Sequence, residues 1–408
     1  MNEIKAPVKN TALTFIFITL LIDVIGLGII IPVLPGLIRE MTGSTLSIAS
    51  KYSGWLAFTY AIMQFFCSPI LGGLSDKYGR RPILLASLFG FGVDYIFMGL
   101  APGIAWLFLG RIISGITGAS YTTATAYIAD ISTPEKRAQN FGLIGAAFGV
   151  GFIIGPVAGG LLGHYGTRVP FFAAATLALI NWAYGFFILP ESLKPENRRP
   201  FEWKRANPVS SLRNLKKYPL VLSLVISLIC LYIASHATQS TWSFYTMFKF
   251  GWDEKLVGYS LGFVGIMIAL VQGVLIRIVI PKLGKQRSVF TGLTLYAIGF
   301  LLFAFATKSW MMYAFIIPFS MGGIAGPAIQ GIISSQVPPD SQGELQGALT
   351  SVISLTTIFG PLMMTYLFNF FTSPVAPVIF PGAPFLTGCL LTIISIIFAM
   401  RALNRHEH

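Results

Sequence analysis

Charge is scarce in this chain. Asp, Glu, Lys and Arg make up 11% of its 408 residues, while 54% are apolar and the mean hydropathy is +0.74. Soluble globular domains carry about a quarter charged residues, so an ordinary water-exposed fold is excluded. Cysteine is scarce too. Cys67, Cys230 and Cys389 lie far apart within apolar runs. That spacing suggests neither a disulfide framework nor a metal cluster, and reads as three small buried hydrophobes. Also missing are a nucleotide-binding glycine loop between strand and helix and a nucleophile elbow, so ATP drive and enzymatic chemistry are not expected.

Long apolar runs are what the sequence has instead. A helix crossing a bilayer core needs roughly 20 mostly apolar residues. Twelve candidate spans meet this, near 11–35, 53–72, 82–101, 104–129, 139–163, 169–189, 218–247, 256–280, 287–306, 310–334, 344–370 and 383–402. Closed β-barrels also cross membranes, but with alternating segments of about 10 residues. Unbroken runs of this length argue for an all-α integral membrane protein.

The formal net charge of +13 invites a nucleic-acid partner, and the placement of the cations rejects one. With the N-terminus inside, 20 Lys and Arg fall in cytoplasmic segments and 6 in outer loops. Such an asymmetry places both termini in the cytoplasm. The first span is long and lacks a small-residue cleavage site, so it reads as a retained helix.

Residues 190–217 form the one substantial polar stretch and carry 8 of the inside cations. They read as a tether along the anionic inner leaflet. The expected organisation is a six-helix bundle over 1–189, a cytoplasmic linker over 190–217 and a second six-helix bundle over 218–408. A weak internal repeat supports it. Gly79-Arg80-Arg81 after span 2 is echoed by Gly284-Lys285-Gln286-Arg287 after span 8, and Gly155-Pro156 in span 5 by Gly360-Pro361 in span 11. Duplicated halves with a site near the midplane are typical of rocking transporters.

At Gly72-x-Leu74-Ser75-Asp76-Lys77-Tyr78-Gly79-Arg80-Arg81 the chain resembles the major facilitator superfamily, and within it the tetracycline-type drug:proton antiporters. Span 5 carries Gly142-x8-Gly151-x3-Gly155-Pro156-x2-Gly159-Gly160, similar to the signature of the superfamily's antiporters. Glycines there let helix backbones approach, and Pro156 bends the helix. Further similar stretches are Ile29–Leu37, Tyr127–Ile131 and Leu345-Gln346-Gly347. The resemblance implies a conformational latch of Gly72, Asp76, Gly79, Arg80, Arg81 and Asp130. Asp76 would cap a helix of the opposite half, and the arginines would pair with Asp130 or with lipid headgroups. It also assigns coupling or drug contact to Asp23, Gln64, Asp94 and Gln272. One departure stands out. The tetracycline pumps carry a buried acid in span 9, and the aligned position here is Tyr296. No acid lies inside a C-terminal span, so coupling would reside in the N-terminal half.

Asp23 lies about twelve residues into span 1, roughly 18 Å along a helix and near mid-bilayer. A charge there costs roughly 2.5–3.5 kcal/mol on insertion scales, so such residues usually face a cavity and do a job. Asp23 is therefore a proton carrier, or else an acid neutralised by a structural partner. Asp94 is a second proton site, a cargo contact or a packing residue. Arg111 in span 4, in the pattern Arg111-x3-Gly115, is the natural counter-ion of one of these acids or a structural ion-pair partner. His236 could titrate or simply be hydrogen-bonded, and Arg277 reads as snorkelling to headgroups. A cavity for amphipathic cargo would be lined by Tyr60, Gln64, Tyr121, Asn181, Gln239, Trp242, Tyr245, Gln272 and Gln330.

Together these readings predict a monomeric, proton-coupled exporter of amphipathic organic compounds in the bacterial inner membrane. Its partners would be a small-molecule substrate, protons and membrane lipids. No cofactor is expected beyond the proton as coupling ion. The alternative is an importer or exchanger of an endogenous metabolite or lipid on the same scaffold.

Overall fold

The computed structural model describes residues 6–118, 120–201, 219–337 and 342–404. Every regular element among them is helical. The first half comprises α1 (Ala6–Ile30), α2 (Leu34–Thr42), α3 (Leu46–Tyr78), α4 (Arg80–Leu100), α5 (Ile104–Thr117), α6 (Ser120–Ile131), α7 (Pro134–Gly163) and α8 (Val169–Ile188). The second comprises α9 (Pro219–Phe250), α10 (Glu254–Leu270), α11 (Ile276–Leu283), α12 (Lys285–Phe305), α13 (Ser309–Met321), α14 (Ala325–Ser335), α15 (Gln342–Thr372) and α16 (Ala383–Asn404). Twelve stretches are long and apolar enough to cross a membrane, as the hydropathy predicts. Three spans are interrupted. The fourth is split between α5 and α6, the eighth carries a π-helical turn over Val271–Leu275, and the tenth passes through a 3₁₀ turn over Gly322–Ile324.

The described residues form two compact units. One holds most of the first half plus Glu254–Gly262, and the other holds most of the second half plus Gly43–Phe58. In the first, Phe15, Ile16 and Leu20 of α1 pack with Leu84, Leu88, Tyr127 and Ile144. In the second, Val221, Leu224 and Leu228 of α9 pack with Val289, Leu293, Ile329 and Ile333. Of the expected linker, 190–201 belongs to the first unit, and 202–217 lies outside the described residues.

The internal repeat has a conformational counterpart. Gly79 (φ 108°, ψ 160°) and Gly284 (φ 77°, ψ 162°) each separate two helices by a single residue. Only glycine adopts that backbone freely, so the two sharp reversals are written in the sequence.

The first span ends earlier than its hydropathy suggests. Ile31-Pro32-Val33 forms a turn, because Pro32 cannot continue the backbone ladder. The chain resumes as α2, which buries Pro35, Leu37 and Ile38. Glu40 on its other side accepts hydrogen bonds from Thr167 Oγ1 and, at 3.3 Å, from Arg168 Nε. Arg168 also donates to the carbonyls of Gly99 and Ala101 at 3.0 and 2.9 Å, tying α2 to the ends of α4 and α8. The Thr167 hydroxyl, then Arg168, hold the Glu40 carboxyl below its ordinary value against the opposing effect of burial. A depressed folded-state value gives stability above the unfolded-state value that is lost as pH falls through the folded one. Thermal melts should therefore separate wild type from Glu40→Gln at pH 7, by about 1 kcal/mol or less for so exposed a pair. The curves should converge as pH falls through the depressed folded-state value.

Candidate functional site

Asp94 lies on α4 about 9 Å from the end of the helix at 1.5 Å per residue, and its side chain is only 1% exposed. Arg111 of α5 reaches it, with Nη2 3.0 Å from Oδ2. The same nitrogen lies 2.7 Å from Met98 Sδ, one turn beyond Asp94. Asp94 Oδ1 and Arg111 Nε have no hydrogen-bond partner among the described residues. The guanidinium also lies 5.7 Å from the centre of the Tyr60 ring, within range of a cation–π attraction. Tyr60 Oη accepts from Gln64 Nε2 at 3.0 Å, and Gln64 donates in turn to the Gly118 carbonyl at 3.2 Å. A buried ion pair is thus ringed by aromatic and amide groups. Isolated charges are costly in such surroundings, so each partner depends on the other.

Asp23 is half-buried on α1. Gly26, three residues further along α1, faces the side chain of Tyr95, the neighbour of Asp94 in the chain. Tyr95 Oη lies where a Cβ on Gly26 would sit, 2.7 Å away. The two acids therefore belong to one polar neighbourhood spanning α1, α3, α4 and α5.

The position of α1 is set by a glycine ladder on α7. Glycines at i, i+4, i+8 and i+12 share one helix face. Gly151 faces Val24, Gly155 faces the Ile25 carbonyl and Gly28, Gly159 faces the Ile29 backbone, and Gly163 faces Val33. A Cβ on Gly155 would lie 2.8 Å from the Ile25 oxygen. Pro156 packs its ring on Gly28, while Gly160 turns to Glu254 and Gly258 of α10. Gly142 has open space around it and takes no part.

The charged turn after α3 forms a second cluster. Arg80 pairs with Asp76 through Nη1 and with Asp130 through Nε at 3.1 Å, the latter one of the two kinds of partner that the resemblance implies. The Asp76 carboxylate is thus engaged by Arg80, one turn further along the chain. Arg81 donates to the Phe186 carbonyl at 2.6 Å. Glu191 completes the cluster, accepting from the backbone N–H groups of Arg80, Arg81, Ser192 and Leu193 at 2.8–3.2 Å. Its carboxylate fills the space where Gly79 lacks a Cβ. Gly72 has open space around it. Glu191→Ala is expected to cost about 1–3 kcal/mol by stranding these donors, measurable as a lower melting temperature of the purified protein.

The family model described as Major Facilitator Superfamily matches residues 16–290 and 278–408. The chain belongs to this superfamily. It is 44% identical to the tetracycline resistance protein, class C, of Escherichia coli over 360 residues, covering 88% of this chain and 90% of that protein. Multidrug resistance protein 2 of Bacillus subtilis is 30% identical over 392 residues, covering 93% and 94%. Among solved structures, a bacterial homolog of the human lysosomal transporter Spinster superposes with a TM-score of 0.77 at 15% identity, covering 98% of each chain. At that identity the likeness concerns the fold alone.

Within the superfamily fold, the other predicted cargo contacts fall in different settings. Tyr121 is exposed and meets Phe148 edge-on. Asn181 is 1% exposed and donates to Thr19 Oγ1 at 3.2 Å. In the second half, Gln239 and Gln272 are exposed, and Gln272 sits in the π-helical turn, a feature frequent at functional sites. Gln330 donates to Tyr232 Oη at 2.8 Å. Trp242 and Tyr245 are held in packing. Trp242 stands edge-on to Phe303, and Tyr245 donates to the Phe303 carbonyl at 2.6 Å. His236 packs against Gly360.

The structure adds Tyr95, Met98 and Glu191 to the residues read from sequence. Met98 was legible as the i+4 neighbour of Asp94. Glu191 had no local signal, since it looks like one more charge in a polar linker.

Proposed function

We propose that this protein is a proton-coupled secondary transporter that exports amphipathic organic compounds by alternating access. It works as a monomer in the bacterial inner membrane, with both termini cytoplasmic and no cofactor beyond the coupling proton. The observation that carries this reading is the Asp94–Arg111 pair inside a membrane span, beside Asp23, Tyr60 and Gln64. A carboxylate in that position can take up a proton and thereby release its arginine. The Tyr60 ring and Met98 sulfur then remain as the neighbours that hold the guanidinium. One proton event at Asp94 thus changes the contacts of three helices: α3 through Tyr60, α4 through Asp94 and Met98, and α5 through Arg111. The similarity to tetracycline resistance and multidrug resistance proteins supports an organic drug as cargo. The cation distribution supports the orientation, and membrane lipids complete its partners.

The test is proton movement in everted vesicles or proteoliposomes holding a pH gradient, while amphipathic drugs including tetracycline are added in turn. Cargo-dependent collapse of the gradient is expected. A silent panel would turn the assignment to an endogenous metabolite or lipid.

A further inference from the structure

The two glycine turns related by the internal repeat are built alike and charged differently. At Gly79 the cations are answered by acids, with Asp76 and Asp130 on Arg80 and Glu191 on the backbone behind it. At Gly284 no carboxylate is paired with the cations among the described residues. The residue three before the glycine is Asp76 in the first turn and Pro281 in the second. α6 ends beside Asp130, whereas α14 ends in Ser334-Ser335-Gln336.

The cations, however, are kept. Arg277, Lys282, Lys285 and Arg287 occur within one short stretch and all are exposed. None pairs with a carboxylate among the described residues; Lys285 Nζ donates to the Gly331 carbonyl at 3.2 Å. Arg277 and Lys282 lie on α11, and Lys285 and Arg287 open α12. α11 buries none of its side chains, and Ile278 and Leu283 are 47% and 41% exposed. Apolar flanks alternate with cations whose long stems reach toward the membrane surface. Cations with no carboxylate partner among the described residues match the charge of phosphate headgroups, each worth about 1 kcal/mol near an anionic leaflet.

We propose that the α11–α12 turn is a binding site for the headgroup of an anionic phospholipid. Lys282, Lys285 and Arg287 contact the phosphate, and Arg277 reaches it from deeper in the span. In this reading a lipid supplies to the second half the negative charge that Asp76, Asp130 and Glu191 supply to the first. The site is independent of which cargo is carried.

The test is native mass spectrometry of the purified full chain with equal amounts of phosphatidylglycerol and phosphatidylcholine. Wild type should retain phosphatidylglycerol preferentially. The triple variant K282Q/K285Q/R287Q should bind it about tenfold more weakly or worse. The control K51Q/K255Q/K308Q, which removes three exposed cations elsewhere, should bind like wild type. Thermal melts establish that both variants are folded. Equal retention of the two lipids by wild type, or equal losses in the two triple variants, would overturn the proposal. So would displacement of the lipid by millimolar inorganic phosphate, since the turn would then read free phosphate.

Discussion

Asp94→Asn is expected to abolish uphill export while leaving the protein folded. Asparagine keeps the shape of the side chain and an oxygen that can accept from Arg111 Nη2, now 3.0 Å from the carboxylate. It cannot release a proton, so it holds the site in the state of a protonated acid. One proton moving down 100 mV supplies about 2.3 kcal/mol, equivalent to a concentration ratio of roughly 40- to 50-fold. The variant should lose that ratio and equilibrate its cargo instead. Asp23→Asn should lose coupling as well, because a carboxyl at mid-span beside the Asp94 neighbourhood is costly unless it does a job. Fluorescent-drug accumulation in vesicles reads both variants, and full concentrative transport by the two would refute the coupling assignment. Arg111→Ala should behave differently. Removing the cation leaves Asp94 buried without its counter-ion, at a cost of about 3–5 kcal/mol, so a drop in melting temperature should accompany the lost activity.

The second large effect is expected at the glycine ladder. Gly159→Val places a side chain onto the Ile29 backbone, with the new Cβ 2.7 Å from the Ile29 carbonyl carbon and 2.8 Å from its Cα. Backbone cannot rotate aside as a side chain can, so α1 and α7 must separate. Overpacking of this kind costs about 1–3 kcal/mol or more. A shift of α1 also moves Asp23, so coupling should weaken together with stability. Gly149→Val, on the same helix but with open space at its Cβ, should melt within a few degrees of wild type. If the two variants are equally stable, the ladder does not set the distance between the helices.

Much of this protein is legible without coordinates because a membrane imposes simple rules. Apolar runs of span length must be helices, and a lipid-facing backbone leaves no other economy of hydrogen bonds. The twelve spans, the Gly79 and Gly284 turns and the four-residue spacing on α7 all follow from local chemistry.

Properties that depend on helix rotation and on neighbours distant in the chain are not legible in this way. Asn181, Trp242 and Tyr245 have the chemistry of cargo contacts, yet each sits in packing, because spacing along a helix does not say which face its neighbours cover. Sequence left Arg111 a choice of acids; the approach of α5 to α4 decided for Asp94. Glu191 reads as a linker charge until the chain folds back and sets it under four backbone donors. The sequence alone determined the membrane class, the helices and the superfamily. Tertiary structure decided which charges meet, because an ion pair is a statement about distance between helices, and no periodicity within one helix contains that distance.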